Sequence, residues 1–126
     1  MDAAQALAEL MELSSQITAA VVVDGDGESL ASSSDDAART DALVAATREL
    51  VAAAAGLGSG GHEVTRVEVE LADGALFVLR EGGHTVGATT GPDPTSGLVV
   101  YDLRTCVQAI APAKKRRPRK PKEESQ

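Results

Sequence analysis

The chain has 126 residues, a size that predicts one domain with no room for a second. It has a single cysteine and no stretch of roughly 18 apolar residues, which excludes a disulfide scaffold and a membrane helix and predicts a cytoplasmic protein. The net charge of −7 divides into −12 over residues 1–111 and +5 over residues 112–126, so we expect the folded part to repel nucleic acid and anionic lipid.

The first predicted element is a helix over residues 3–15, where apolar side chains recur at helical spacing. A continuous apolar run then begins at Ile17 and ends in the D-G-D-G sequence of residues 24–27. Asp-Gly pairs supply the positive φ angles that tight hairpin turns need. Residues 17–34 therefore predict a buried strand, a turn, a short second strand and the start of a helix.

A long alanine-rich helix is predicted to follow this hairpin. Ser34, Asp35 and Asp36 offer an N-cap and first-turn carboxylates, and the glycines after Ala55 end the helix. At about 100° per residue, its apolar or small side chains cover a sector of about 200°, roughly twice what a helix on one surface needs. We therefore expect this helix to bury against two surfaces.

Three further strands are predicted over residues 63–71, 75–80 and 85–89, separated by glycine-containing turns. In the first of them, Val67 and Val69 alternate with charged residues, which is typical of a one-sided strand near a sheet edge. The second, with the sequence ALFVLR, is apolar on both faces and is expected to be central.

The last predicted helix is capped by Thr95 or Ser96 and ends before Pro112. Its apolar stripe consists of Val99, Leu103, Cys106, Val107 and Ile110. The complete order is helix, strand, strand, helix, strand, strand, strand, helix. This order predicts an α+β domain with one five-stranded antiparallel sheet.

The sequence contains no catalytic, cofactor-binding or metal-binding pattern. Asp24, Asp26 and Glu28 do not match the register of a calcium-binding loop and are assigned to the turn. The glycines of residues 56–61 follow a helix and lack the Gly-Lys-Ser/Thr ending of a phosphate-binding loop. Cys106 lies on an apolar stripe, and both histidines lie in glycine-rich turns, which favours a buried structural cysteine over a nucleophile.

Residues 112–126 form a basic tail rich in proline, lysine and arginine, which predicts an extended and disordered segment. Its candidate partners are anionic membrane or nucleic acid, bound without sequence specificity because no aromatic residue offers a stacking platform. Alternatively, the tail folds back on the acidic domain and masks a face, or serves only solubility. The candidate polyanion-binding residues are Lys114, Lys115, Arg116, Arg117, Arg119, Lys120 and Lys122.

The chain resembles the Roadblock/dynein-light-chain family, in particular its small bacterial members. The resemblance rests on VVVDGDGESLAS after the first helix, the alanine-rich second helix, the segment ADGALFVLR and the closing GLVVYDLRTCVQAI, and it covers about residues 4–111. It implies a Roadblock-like domain over residues 1–111, with the long second helix on one face of the sheet and the terminal helices on the other.

The resemblance also implies a dimer in which the third strand and the second helix meet their counterparts. The wide apolar sector of that helix and the edge-like strand agree with this implication. In such a dimer, Glu68 and Glu70 would repel the same residues of the partner strand unless Arg66 lies between the carboxylates. The predicted dimer-interface residues are Leu43, Ala46, Thr47, Leu50, Ala54, Val67 and Val69.

Bacterial members of this family typically act as accessory regulators of Ras-like small GTPases, and eukaryotic members act as adaptors in motor or lysosomal complexes. The resemblance therefore predicts a non-catalytic homodimer that needs no cofactor, binds a Ras-like small GTPase and modulates its nucleotide cycle. Arg39 and Arg48 are candidate contacts to the GTPase, although a solvated helix face is the commoner explanation. The alternative is a dimeric scaffold that tethers partners to anionic membrane or nucleic acid through the basic tail. A small-molecule sensor is disfavoured, because one Phe and one Tyr cannot line an aromatic pocket.

Overall fold

Helices and strands follow one another along the chain in the predicted order. The computed structural model describes residues 1–57 and 66–110, so residues 63–65, the predicted start of the third strand, lie outside the described residues. The elements are α1 (Ala3–Leu13), β1 (Ile17–Val23), β2 (Ser29–Ser32), α2 (Ala37–Ala55), β3 (Arg66–Leu71), β4 (Gly74–Glu81), β5 (His84–Thr90) and α3 (Ser96–Ala109). None of the three helices is both long and apolar enough to cross a bilayer within this described part.

The strands form one antiparallel sheet in the spatial order β2-β1-β5-β4-β3. The central strand is β5, and β2 and β3 are the two edges. β4 is an interior strand between β5 and β3, one position from the centre where it was expected, and it is buried on both faces through most of its length, as its apolar sequence predicts. β3 alternates between half-buried and exposed residues, which confirms the prediction of a one-sided edge strand.

The sheet separates two apolar cores. The larger core lies beneath α1 and α3, takes Phe77 and Leu79 from β4, and contains the whole predicted stripe of α3. The smaller core lies beneath α2, where Leu43 packs with Leu76 and Val78. The placement of α2 on one face and of both terminal helices on the other is therefore confirmed.

Local capping chemistry sets the helix ends. Asp36 is the residue of the three candidates that caps α2, since its carboxylate accepts a hydrogen bond from a first-turn backbone amide at 3.2 Å. α1 ends at Leu13, two residues earlier than predicted. The reason is Ser14, whose hydroxyl oxygen accepts hydrogen bonds from the backbone amides of Gln16 and Ile17 at 3.3 Å and turns the chain into β1.

The turn between β1 and β2 is held by the carboxylate of Asp24. One of its oxygens accepts hydrogen bonds from the backbone amides of Asp26 at 2.9 Å and Glu28 at 3.0 Å. Gly27 takes the positive φ of this turn, 85°. The carboxylate is thus engaged by the turn itself, and no group of His, Cys, Asp or Glu in residues 1–57 and 66–110 is arranged to hold a metal ion. The hydrogen bonds that Asp24 accepts support its assignment to the turn.

Candidate functional site

α2 packs tightly on the sheet where Thr47 lies over Gly87 of β5. Thr47 is fully buried, and its side chain fills the space that a β-carbon on residue 87 would need. One turn earlier, Leu43 is 9% exposed and packs into the core beneath the helix. These two residues form the line through which α2 is anchored to its own sheet.

Apolar side chains of α2 on either side of this line stay partly accessible. The half-buried ones are Val44, Ala46, Leu50, Val51 and Ala54. Asp41, Arg48 and Glu49 are exposed on the remaining side of the helix, as predicted. The apolar sector of α2 is therefore wider than the strip that the sheet covers in a single copy of the chain.

β3 continues this partly accessible apolar surface at the sheet edge. Val67 and Val69 are half-buried and pack against the same core as α2. Glu68 points to the other face, where its carboxylate accepts a hydrogen bond from the Ser96 hydroxyl at 2.9 Å. Within the described residues, one side of β3 pairs with β4 and the other side meets no strand. We name the accessible apolar flank of α2 together with Val67, Val69 and this open edge the α2/β3 face.

The predicted dimer-interface residues divide between the core and the α2/β3 face. Thr47 has no accessible surface in the folded chain and Leu43 has almost none, because both side chains anchor α2 to the sheet. In a single copy of the chain these two side chains are therefore engaged by the sheet, and their place in a dimer interface stays a prediction. The partly accessible members of the set, which remain a prediction, are Ala46, Leu50, Ala54, Val67 and Val69.

Two shallow cavities lie beside α2, and each is lined by one of the predicted partner-contacting arginines. Arg39 lines an apolar cavity of about 470 Å³ near the start of the helix. Arg48 lines a cavity of about 320 Å³ next to the β1–β2 turn. The Arg48 side chain lies across that turn, with its Nε 2.9 Å from the position of a β-carbon on Gly27. One side of the Arg48 side chain therefore packs on the turn, and the other side is exposed and accessible to a partner.

Of the three groups considered for nucleophilic chemistry, the two that the structure describes, Cys106 and His84, are buried. Cys106 lies in the core beneath α3, and burial raises the pKa of its thiol from 9.0 to about 11. His84 is the first residue of β5, which corrects its assignment to the preceding turn, and its side chain is buried. His62 lies outside the described residues. A thiol that stays protonated in an apolar core supports the structural interpretation of Cys106.

The sequence patterns did not identify an exposed apolar surface on the layer formed by α1 and α3, on the other side of the sheet from α2. Leu13, Leu98 and Tyr101 are 72%, 55% and 68% exposed, although each belongs to a helix that packs on the larger core. The signal available in the sequence was the pair Leu98 and Tyr101, which are three residues apart and lie off the apolar stripe of α3. The predicted polyanion-binding residues 114–122 and the glycines 58–61 lie outside the described residues.

Comparisons with known proteins give a consistent result. A sequence model of the Roadblock/LC7 domain family matches residues 3–86. No curated protein matches the chain. The structure is similar to a Roadblock/LC7 domain from Streptomyces avermitilis, with a TM-score of 0.76 and 22% sequence identity over 86% of this chain and 93% of that chain.

Two further solved structures share this fold. Gliding protein MglB from Thermus thermophilus has a TM-score of 0.72 and 18% identity over 86% of this chain and 85% of that chain. MglB with a tetrameric arrangement has a TM-score of 0.72 and 19% identity, again over 86% of this chain and 85% of that chain. At such identities, these likenesses show the fold.

Proposed function

Because this chain belongs to the Roadblock/LC7 domain family, we propose that it is a non-catalytic, dimeric regulator that binds a Ras-like small GTPase and modulates its nucleotide cycle. The observation that carries the proposal is the α2/β3 face, an apolar surface that a single copy of the chain leaves partly accessible. The proposed setting is the cytoplasm, which agrees with the single, buried and reduced cysteine.

The proposed dimer is symmetric and joins the α2/β3 faces of two copies. Two copies of β3 lying antiparallel would continue the sheet across the two-fold axis and bring the half-buried flanks of α2 together. The exposed Glu70 and Arg66 would then lie near the axis, where a cation from one copy can separate carboxylates of the other. The likeness to MglB with a tetrameric arrangement supports self-association of this kind.

The proposed binding site for the GTPase lies on the α2 side of this dimer. Arg39 and Arg48 are exposed there, and each lines a cavity beside the helix. They are also two of the five cations of an otherwise acidic domain, so an acidic patch on the partner would select this side of the molecule.

Affinity capture from the source cell tests the proposal, followed by GTP hydrolysis and nucleotide exchange assays on any small GTPase recovered. We expect a GTPase to be recovered and one of its two rates to change when the full chain is added. The double variant Arg39→Ala/Arg48→Ala should weaken that effect, and Arg104→Ala, on the opposite layer, is the matched control. Failure to recover a GTPase, or rates that do not change, would contradict the proposal.

A second candidate function is supported by the charge division of the sequence, −12 over residues 1–111 and +5 over residues 112–126. In this alternative the dimer is a scaffold, and its basic tail tethers partners to anionic membrane or nucleic acid. Truncation after Ala111 should abolish salt-sensitive binding to anionic liposomes and DNA while dimerisation is retained. If the full-length protein binds neither anionic liposomes nor DNA at low salt, the scaffold function is refuted.

A further inference from the structure

The apolar cavity beside Arg39 lies between the first half of α2 and one end of the sheet. Its floor is continuous across three strands, because Thr89 of β5 pairs with Ala19 of β1 on one side and with Leu76 of β4 on the other, and all three residues line the cavity. Leu71, at the end of β3, also lines it and is 42% exposed. The volume of about 470 Å³ lies within the range of small-molecule binding sites.

The lining of this cavity is aliphatic apart from Thr18, Thr89 and Arg39. The hydroxyl groups of the two threonines are 2.8 Å apart and share a hydrogen bond, and the Thr18 hydroxyl also donates to the Thr89 carbonyl at 3.1 Å. Both hydroxyls are therefore satisfied within the protein. The cavity offers a ligand apolar surface from alanine and leucine side chains and one charged group, the guanidinium of Arg39.

The charge of Arg39 is not used by its neighbours in the helix. Asp35 and Asp36 precede it by four and three residues, a spacing at which helical ion pairs form. The Asp36 carboxylate instead accepts a hydrogen bond from the Arg39 backbone amide, and neither aspartate lines the cavity. Across residues 1–57 and 66–110, the Arg39 guanidinium forms no ion pair. An unpaired guanidinium beside an apolar cavity is complementary to an anion with an apolar body.

We propose that this cavity binds an amphipathic organic anion, namely an unbranched aliphatic chain that ends in a carboxylate. The chain lies on the leucine and alanine side chains, and the carboxylate accepts hydrogen bonds from the Arg39 guanidinium. The scarcity of aromatic residues disfavours a planar ligand, but it does not disfavour an aliphatic chain, which packs on aliphatic side chains through the hydrophobic effect. This binding does not depend on a GTPase partner.

A second copy of the chain is a poorer occupant of the cavity than such an anion. The cavity adjoins the α2/β3 face, since Ala46 belongs to both. The Glu68 carboxylate points to the other face of the sheet, where it binds Ser96, and Glu70 follows it by the two residues that keep a strand side chain on the same face. The α2/β3 face of a second copy would therefore bring apolar groups to this cavity and no carboxylate to Arg39.

Ligand binding at this cavity has a regulatory consequence, which rests on the proposed function. Arg39 is one of the two arginines proposed to contact the GTPase. A carboxylate bound to its guanidinium would take that contact from the partner, so the ligand and the GTPase would compete. The binding experiments below contain no GTPase, and their outcome is therefore independent of the proposed function.

Three probes that share one aliphatic chain test the proposal: octanoate, octanol and octylammonium. Nuclear magnetic resonance titration of the full-length protein gives the dissociation constants. Octanoate should bind at least about threefold more tightly than octanol, because the exposed guanidinium adds a charged hydrogen bond that solvent weakens. Octylammonium should bind more weakly than octanol. Decanoate should bind at least about fourfold more tightly than octanoate, because two further methylene groups leave water.

A pair of charge variants tests the role of the guanidinium. Arg39→Gln should abolish the preference for octanoate over octanol and leave the affinity for octanol unchanged, because only the head group contacts this side chain. Arg104→Gln removes the same charge from the layer of α3 and should leave both affinities unchanged.

A pair of size variants tests whether the chain occupies the cavity. Ala42→Phe fills part of the cavity and should weaken the binding of octanoate and octanol alike, by at least about fivefold. Ala45→Phe, on the exposed side of the same helix, is the matched control and should change neither affinity.

Four outcomes would each overturn the proposal. These are equal affinities for octanoate and octylammonium, an equal loss of octanoate binding in the two arginine variants, equal effects of the two phenylalanine variants, and a fall in molecular mass at saturating octanoate. The last outcome would assign the cavity to a second copy of the chain.

Discussion

The hydroxyl oxygen of Thr47 on α2 occupies the space where a β-carbon on Gly87 of β5 would stand. The oxygen is buried and has no hydrogen-bond partner among the described residues. This contact therefore gains nothing from hydrogen bonding, and its role is steric. It sets the distance between the long helix and the central strand, and so it determines which side of α2 faces the sheet.

The first prediction concerns Gly87. The substitution Gly87→Ala should lower the free energy of unfolding by about 1–3 kcal/mol, since the new methyl group overpacks the space already filled by Thr47. Urea denaturation followed by circular dichroism measures the change. Gly97→Ala is the matched control, since nothing lies within 4 Å of a β-carbon there and a helix gains from alanine.

A second substitution should reverse this effect. Thr47→Ala removes the hydroxyl and methyl groups that a β-carbon on residue 87 would meet. The double variant Gly87→Ala/Thr47→Ala should therefore be more stable than the sum of the two single changes predicts, by about 1–2 kcal/mol in a double-mutant cycle. Strict additivity would show that the two positions are not in steric contact.

The second prediction concerns the α2/β3 face. Leu50→Glu should shift the proposed dimer to monomer, because dimerisation would bury a charge without a partner, which costs several kcal/mol and weakens association at least about hundredfold. Light scattering at micromolar concentration gives the mass. Leu98→Glu places the same charge on the opposite layer and should leave the dimer intact. A wild-type chain that is monomeric at that concentration would refute dimerisation itself.

The third prediction concerns the turn between β1 and β2. Asp24→Ala should destabilise the fold by about 1–2 kcal/mol, because two backbone amides lose their charged acceptor. Asp26→Ala, two residues later and exposed, should change the stability by less than about 0.5 kcal/mol. Thermal unfolding distinguishes the two. Calcium ions should not raise the melting temperature, and a clear rise would contradict the assignment of these carboxylates to the turn.

The fourth prediction concerns Cys106. Burial raises the pKa of its thiol from 9.0 to about 11, so the folded state favours the protonated form. The resulting stability is fully present below pH 9 and is lost as the pH rises towards 11, by about 1.4 kcal/mol per pH unit. Chemical denaturation of the wild type over this pH range, compared with Cys106→Ala as the chain without the thiol, isolates the effect.

The same burial predicts the reactivity of the thiol. At pH 8, the thiolate fraction of Cys106 is about a hundredfold lower in the folded chain than in the unfolded chain. A disulfide reagent should therefore label the native protein at least about a hundredfold more slowly than the denatured protein. Equal labelling rates would show that the thiol is accessible and that α3 is not packed as described.

The sequence predicted the order of elements well because the signals that set it are local. The apolar run into the Asp-Gly turn, the carboxylates before α2 and the stripe on α3 each depend on neighbouring residues only. All five residues of that stripe are buried. The hairpin and its turn were likewise predictable, since Asp24 closes the turn with amides only two and four residues away.

The orientation of α2 could not be predicted in this way. Alanines lie on all sides of α2, so its sequence alone does not indicate which side of the helix faces the sheet. That side is set by the contact with Gly87, which lies in a different element. The burial of Leu43 and Thr47 could not be predicted for the same reason, since contacts with other elements place both side chains in the core.

The hydrogen bond between the Met1 ammonium and the Ala109 carbonyl brings the two ends of the domain together. In a chain truncated after Ile110, a linker of a few residues back to Met1 would therefore close the polypeptide into a ring, and new ends could be opened at the exposed Gly82-Gly83 turn without rerouting a strand. A reporter or a lipid anchor joined directly to Met1 or to Ile110 would start from the same side of the domain, on the layer opposite α2, and would leave the proposed dimer surface clear.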